Sequence, residues 1–179
     1  MTLSHTVRLA QTGDAEAIAE IYAEHVRIGT ASFDTVPRTI LETADNIALI
    51  RQNGWPFLVV EIEERIHGYA YVTQFRDRPS YASTCENSVY VREGYMGRGL
   101  GRILLKGLID RAQAVGFRQM IAVIGGNNPA SVALHEQFGF VHSGTMRSVG
   151  RKFGVWLDTN YLQLRLGAGD TTPPLVEPQ

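Results

Sequence analysis

The chain of 179 residues carries 17 Lys and Arg against 18 Asp and Glu, for a net charge of −1 at pH 7. That length suits one domain around a single core, and the nearly cancelled charge leaves no broad basic face for nucleic acid or anionic lipid. With 44% hydrophobic and 20% charged residues, the composition is that of a folded soluble domain and excludes both disorder and a membrane span.

Residues 7–9 form a short apolar strand candidate. Thr12 is placed to cap a helix in which Ala15, Ile18, Ala19, Tyr22 and Val26 recur at helical spacing. Residues 29–37 mix Gly, Thr, Ser and Asp around Phe33, an irregular loop of the sort that lines sites, before a second helix over about 39–52. Segments 57–61 and 66–73 are rich in β formers and flank a charged turn at Glu63 and Glu64, which predicts an antiparallel hairpin. A third such run covers 84–91.

A glycine-rich loop comes next, and then Ile103, Leu104, Leu108, Ile109 and Ala112 mark a helix as far as Gly116. The apolar run 120–124 follows, so strand, helix and strand make a parallel crossover. A short helix over 130–138 stops at Gly139, and two strands near 140–149 and 156–166 close the order. The reading is one mixed α+β domain over residues 1–166. Residues 167–179, with Pro173, Pro174 and Pro178, are read as a frayed tail.

The densest signal is Gly97, Arg98, Gly99, Leu100, Gly101, Arg102, after a strand and at the start of an apolar helix. Glycines let backbone turn tightly toward a ligand, and the free N–H groups of a first helical turn attract anions. The stretch is therefore either a phosphate cradle or a glycine turn that only starts a helix. Arg98 and Arg102 are either phosphate contacts or solvated cations. No Gly-Lys followed by Ser or Thr is present, which removes a nucleoside-triphosphate loop, and the third glycine of a dinucleotide fingerprint is missing.

These residues resemble the signature of the GNAT N-acetyltransferase superfamily, read here as Met96, Gly97, Arg98, Gly99, Leu100, Gly101, with Met96 where Gln or Arg is usual. The resemblance runs over roughly residues 7–166 and narrows to the phosphinothricin or methionine sulfoximine acetyltransferase branch. It is carried by Thr30, Ala31, Ser32, Phe33; by Glu86, Asn87, Ser88, Val89, Tyr90, Val91; by Asn128, Ser131, Leu134, His135, Glu136, Gly139, Phe140; and by Lys152, Phe153, Gly154, Trp156, Leu157, Asp158.

The resemblance implies a twisted, mostly antiparallel sheet of about seven strands flanked by about four helices, splayed where acetyl-CoA inserts. The backbones of Val89 and Val91, with Tyr90 between them, would pair with the pantetheine arm as an added strand. Asn128 would bond the arm or cap its own helix, with Ser131 one turn on.

For the chemistry, the resemblance implies Glu86 as general base, the Val89 N–H as oxyanion donor, and His135 as the proton carrier for the departing thiolate. Read from the residues alone, Glu86 is equally an ordinary strand carboxylate, and His135 a packing residue. Cys85, the one cysteine, faces away from Glu86 and reads as a small buried hydrophobe. A lone cysteine and no secretory-signal pattern at the amino terminus point to the cytoplasm.

Thr30, Ser32, Phe33, Phe75, Arg76, Arg78, Tyr81 and Trp156 are the expected acceptor wall, with Phe33 and Trp156 closing it, although Trp156 and Phe153 read equally as residues of the core and of a subunit contact. The branch's usual carboxylate-gripping Arg is Ala82 here, and Arg76 or Arg78 is the expected substitute. The expectation is acetylation of a small amino-acid-like amine by a homodimer without a metal. The other readings are acetylation of a protein amino terminus or another amine, and a non-catalytic acetyl-CoA sensor.

Overall fold

The computed structural model describes residues 4–126 and 128–176. Seven strands form one sheet: β1 (Thr6–Leu9), β2 (Phe57–Ile62), β3 (Arg65–Gln74), β4 (Thr84–Val91), β5 (Gln119–Gly125), β6 (Val141–Lys152) and β7 (Val155–Arg165). Their spatial order is β1-β2-β3-β4-β5-β7-β6, and β4–β5 is the parallel pair in an otherwise antiparallel sheet. Four helices cover it: α1 (Ala15–Ile28), α2 (Ile40–Gln52), α3 (Leu100–Ala114) and α4 (Pro129–Glu136).

Strand alternation divides the core in two. From β2, Phe57 and Val59 face α1 and α2, whereas Leu58, Val60 and Ile62 face α3. From β3, Tyr69 and Tyr71 join the first group and Ala70 and Val72 the second. Both faces of β2 and β3 are thus covered, which explains why these strands read as nearly continuous apolar runs. Gly68 lets α3 settle on β3, because a Cβ there would stand 3.0 Å from Leu104 Cδ1.

Local chemistry sets the element ends. Thr39 caps α2 in a reciprocal box with Glu42. Thr12 does not cap α1 as expected; it opens a short 3-10 turn, Thr12–Asp14, and Asp14 stands at the helix start, held by Arg8. The turn between β2 and β3 places Glu63 and Glu64 at φ 50° and 61°, the left-handed pair that a two-residue hairpin requires.

The tail does not fray from its first residue. Arg118 donates to Gly169 O, Thr172 Oγ1 and Pro173 O, which folds this stretch back on the start of β5. The rest of the expected tail, residues 177–179, lies outside the described residues.

The loop between α1 and α2 crosses the sheet and is pinned at several points. Phe33 sits between two glycines: a Cβ on Gly125 would lie 2.5 Å from its ring, and one on Gly150 2.2 Å. Lys152, 5% exposed, donates from Nζ to Gly29 O and Ser32 O, each at 2.8 Å. Tyr22 holds Ser32 and Asp34 from below.

Gly150→Ala forces the Phe33 ring out of this slot. We expect a loss of about 1–3 kcal/mol in urea unfolding, and little further loss in a Phe33→Ala background. Gly13→Ala, where a Cβ meets nothing within 4 Å, should stay within about 0.5 kcal/mol of the parent.

Candidate active site

A cavity of about 1070 Å³ runs along the middle of the sheet. It exists because β4 and β5 part. They pair from Thr84↔Gln119 to Asn87↔Ala122, after which β5 continues against β7 and β4 against β3.

The hydrogen-bond parity of β4 decides which groups face the gap. Phe75 N donates to Thr84 O and Arg92 N to His67 O, so the even-numbered residues of β4 bond to β3. The odd-numbered ones point the other way. Cys85 and Asn87 spend these groups on β5, whereas the main-chain groups of Val89 and Val91 open into the gap. His25 Nε2 lies 2.9 Å from Val91 O and ties α1 to this edge. Tyr90, between them, turns its ring to the other face, against Tyr22, Tyr69 and His25.

The glycine turn closes one end of the gap. Gly97 and Gly99 have φ of 74° and 84°, and a Cβ on either would meet nothing within 4 Å. The first helical bond of α3 runs from Ile103 N to Gly99 O, so the N–H groups of Leu100, Gly101 and Arg102 have no partner within the helix. Gly101 lets α3 approach α4, since its Cβ would lie 3.3 Å from Leu134. Arg102 and Met96 border the cavity, but Arg98 lies 4.7 Å over the Tyr95 ring, outside the lining. Leu100 contributes only main chain, because its side chain is in the core.

Helix α4 supplies the facing wall. Asn128 Oδ1 accepts from Ser131 N at 3.1 Å and caps the helix ahead of Pro129, and both Asn128 and Ser131 border the cavity. His135 is 3% exposed, packs edge-on against Phe140, and has Nδ1 2.7 Å from Ser131 O and Nε2 3.2 Å from Asn87 Oδ1.

Burial pushes the His135 pKa down, so the ring is neutral at neutral pH. With its proton on Nδ1 for the Ser131 carbonyl, Nε2 is an acceptor. Asn87 Oδ1 is the end that faces Nε2, so this tautomer requires the Asn87 amide turned end for end, which gives its buried and otherwise unpartnered Nδ2 an acceptor. In this state His135 anchors Asn87 and has no proton to give at Nε2.

Glu86 stands on the opposite face of β4 from Cys85 and Asn87, beside Ser88 and Tyr90 and toward the pinned loop. Burial pushes its pKa up, partly opposed by Arg76, whose Nη1 is 4.0 Å from Oε2. Cys85 is fully buried and its thiol pKa is raised by that burial, so it carries no nucleophilic thiolate.

The expected acceptor wall is assembled only in part. Thr30, Ser32, Phe33 and Glu86 line the cavity. Phe75, Arg76, Arg78 and Tyr81 instead build their own rim cluster: Phe75 meets Tyr81 edge-on, Arg76 covers the Phe75 ring at 4.1 Å, and Gln74 ties down Arg76 O and Arg78 O.

Trp156 closes nothing. It is 63% exposed on the β6–β7 hairpin with Arg151 over its ring, and Phe153 at the hairpin turn is exposed too. Neither side chain is among those that line the cavity.

Arg38, Tyr71, His25 and Asn87 were not foreseen at the cavity, yet all four line it. Asn87 lay inside the quoted strand motif, and Arg38 follows Pro37 in the loop already marked as site-lining; those were the available signals. Among the described residues no group of three His, Cys, Asp or Glu converges to hold a metal, and no helix is long and apolar enough to cross a membrane.

Comparison with known proteins matches residues 7–161 to the acetyltransferase (GNAT) domain. A phosphinothricin N-acetyltransferase of Alcaligenes faecalis is 46% identical over 170 residues, covering 94% of this chain and 86% of its own. The L-methionine sulfoximine/L-methionine sulfone acetyltransferase of Salmonella typhimurium is 40% identical over 164 residues, covering 90% and 94%. A crystal structure of a phosphinothricin acetyltransferase from Sinorhizobium meliloti, in complex with AcCoA, superposes with a TM-score of 0.94 at 43% identity, covering 97% of this chain and 94% of that one. The parted strands, the glycine turn and these similarities agree: the chain belongs to the GNAT acetyltransferase family.

Proposed function

We propose that this protein moves the acetyl group of acetyl-CoA to the amine of a small amino-acid-like molecule of the phosphinothricin and methionine sulfoximine or sulfone type. The observation that carries this reading is the gap between β4 and β5, with the Val89 main-chain groups and the Val91 N–H along it, Val91 O being held by His25, and open helix-start amides at one end. An extended amide-bearing arm that ends in a pyrophosphate fits this arrangement: strand-like pairing along the arm and anion binding at the turn. Bound there, acetyl-CoA supplies an activated thioester.

The chain's own residues then have distinct tasks. Gly97, Gly99, Leu100, Gly101 and Arg102 hold the pyrophosphate, with Arg98 a neighbouring cation on the surface. Val89 and Val91 align the arm beside the Tyr90 backbone, and Asn128 and Ser131 flank it from α4. The Val89 N–H, the first past the last β4–β5 pair, donates where charge gathers on the acyl oxygen.

Glu86, half-buried and toward the acceptor side, takes the amine's proton directly or through one water. His135 holds Asn87 in place and serves as an acid only after taking up a proton, which its burial opposes. The pinned loop around Ser32 and Phe33 favours a compact acceptor over an extended peptide. A cytoplasmic setting fits the buried thiol of Cys85, and fractionation that recovered the enzyme elsewhere would oppose it.

The exposed apolar side chains of the β6–β7 hairpin, Met146, Val149, Phe153, Val155 and Trp156, support a homodimer built on this edge. Sedimentation equilibrium should find a dimer that Trp156→Glu shifts toward monomer; a parent sedimenting as a monomer would remove this part of the reading.

Thiol release from acetyl-CoA over a panel of amino-acid analogues tests the reaction. Turnover is expected with methionine sulfone or phosphinothricin, and tight coenzyme binding without turnover of any amine would indicate a sensor. Glu86→Gln should lower kcat by about 10²–10⁴-fold.

The base works ionised and burial disfavours its ionised form. Parent kcat should therefore fall as pH drops through a value above the ordinary glutamate pKa of about 4.3. That limb should be missing in Glu86→Gln; an identical profile in both would remove Glu86 from the mechanism.

A further inference from the structure

The cavity wall contains one cation that the proposed reaction leaves without a task. Arg38 is half-buried and lies 4.8 Å over the Tyr22 ring and beside the Tyr71 hydroxyl. Among the described residues no carboxylate comes within 4.0 Å of its guanidinium.

The acids around it are committed elsewhere. Glu42 is turned onto Thr39, Glu20 and Glu24 are paired with Arg92, and Asp34 takes the Tyr22 hydroxyl. Its tyrosine neighbours do not supply negative charge: burial pushes Tyr22 up to about 12 and holds Tyr69 and Tyr90 well above the ordinary tyrosine value. A partly desolvated cation among neutral rings in a cavity wall is a site for an anion.

Its place on the same cavity wall as Glu86 suggests which anion. Tyr71 stands opposite Ser88 in the β3–β4 register, and Ser88 is two residues from Glu86 on the same face. Arg38, Tyr71, Ser88 and Glu86 all line the one cavity, so a molecule carrying an anion beside its amine can present the first to the cation and the second to Glu86. Arg76, the cation expected to serve here, is outside the cavity lining, stacked on Phe75 and turned to Glu86 itself.

We infer that Arg38 is the anchor for the acceptor's α-carboxylate, so that the enzyme selects amino acids over plain amines although Ala82 provides no guanidinium. The inference rests on the acceptor class proposed above. The guanidinium fork grips the carboxylate while Tyr22 and Tyr71 hold its plane, which leaves the amine at Glu86.

The test compares L-methionine sulfone, whose carboxylate is its only anion, with its carboxamide, in the parent, Arg38→Ala, Arg38→Lys and Arg76→Ala. Arg38→Ala should lose about 10–100-fold in kcat/KM on the acid, mostly through KM, with a much smaller loss on the carboxamide. The KM for acetyl-CoA and the urea midpoint should not move. Arg38→Lys should recover only part of the preference, since an ammonium lacks the planar fork.

Equal losses on acid and amide, or a preference erased by Arg76→Ala and kept by Arg38→Ala, would overturn the anchor. A parent that turns over neither compound would instead overturn the proposed acceptor class, a result distinguishable from failure of Arg38 alone.

Discussion

The site depends on two parallel strands that stop pairing while both continue. After Asn87 and Ala122, β4 keeps its bonds to β3 and β5 keeps its bonds to β7, so each remains anchored in the sheet while a seam opens between them. Main-chain groups left without partners in a protein interior are costly, each by about 1–3 kcal/mol. A strand edge of this kind is maintained where a ligand or water completes it. Here the open edge also points at the start of α3, where the helix leaves further amides uncommitted. One strip of peptide groups, met by one helix start, defines the shape and polarity of what fits.

The remaining architecture keeps that seam open and gives its two sides different characters. On the α3 and α4 side, His135 and Asn87 satisfy one another and Phe140 braces the ring, so the wall is polar but uncharged. On the α1 and α2 side a half-buried carboxylate, a half-buried guanidinium and several neutral tyrosines share the wall. The loop that closes this side owes its position to contacts far away in sequence: Lys152 reaches back to Gly29 and Ser32, and Phe33 fills the slot that Gly125 and Gly150 leave. The edge hairpin thereby has two jobs, one face gripping the loop and the other presenting apolar side chains outward.

Much of this was legible in the residue order. The β-rich runs at 57–61 and 66–73 around a charged turn, the apolar stripe of α3 and the glycine turn are local signals, and local sterics and burial enforce them. The strand, helix and strand succession around that turn sufficed to place the parallel pair, whereas the gap between its strands was implied by the family resemblance alone.

What was misplaced depended on long-range geometry. Trp156 reads as a pocket wall because aromatic rings usually seek cover, yet it stands exposed near the turn of the β6–β7 hairpin. Phe75, Arg76, Arg78 and Tyr81 are read from the sequence as acceptor wall, but Phe75, Tyr81 and Arg76 pack on one another, Gln74 ties down the Arg76 and Arg78 carbonyls, and only Arg76 approaches Glu86. A lone Arg after Pro37 has no local signature; only the fold brings Arg38 beside Tyr71 and into the cavity that Glu86 also lines.

Amide hydrogen exchange along β4, followed residue by residue with and without coenzyme A, tests the central claim most directly. The Val89 and Val91 N–H groups should exchange readily in the free protein and become protected when coenzyme A is added, while those of Ser88 and Tyr90, already bonded to β3, change little. If Val89 and Val91 were protected beforehand, or stayed exchangeable with saturating coenzyme A, the open seam would not be the binding surface and the account built on it would fail.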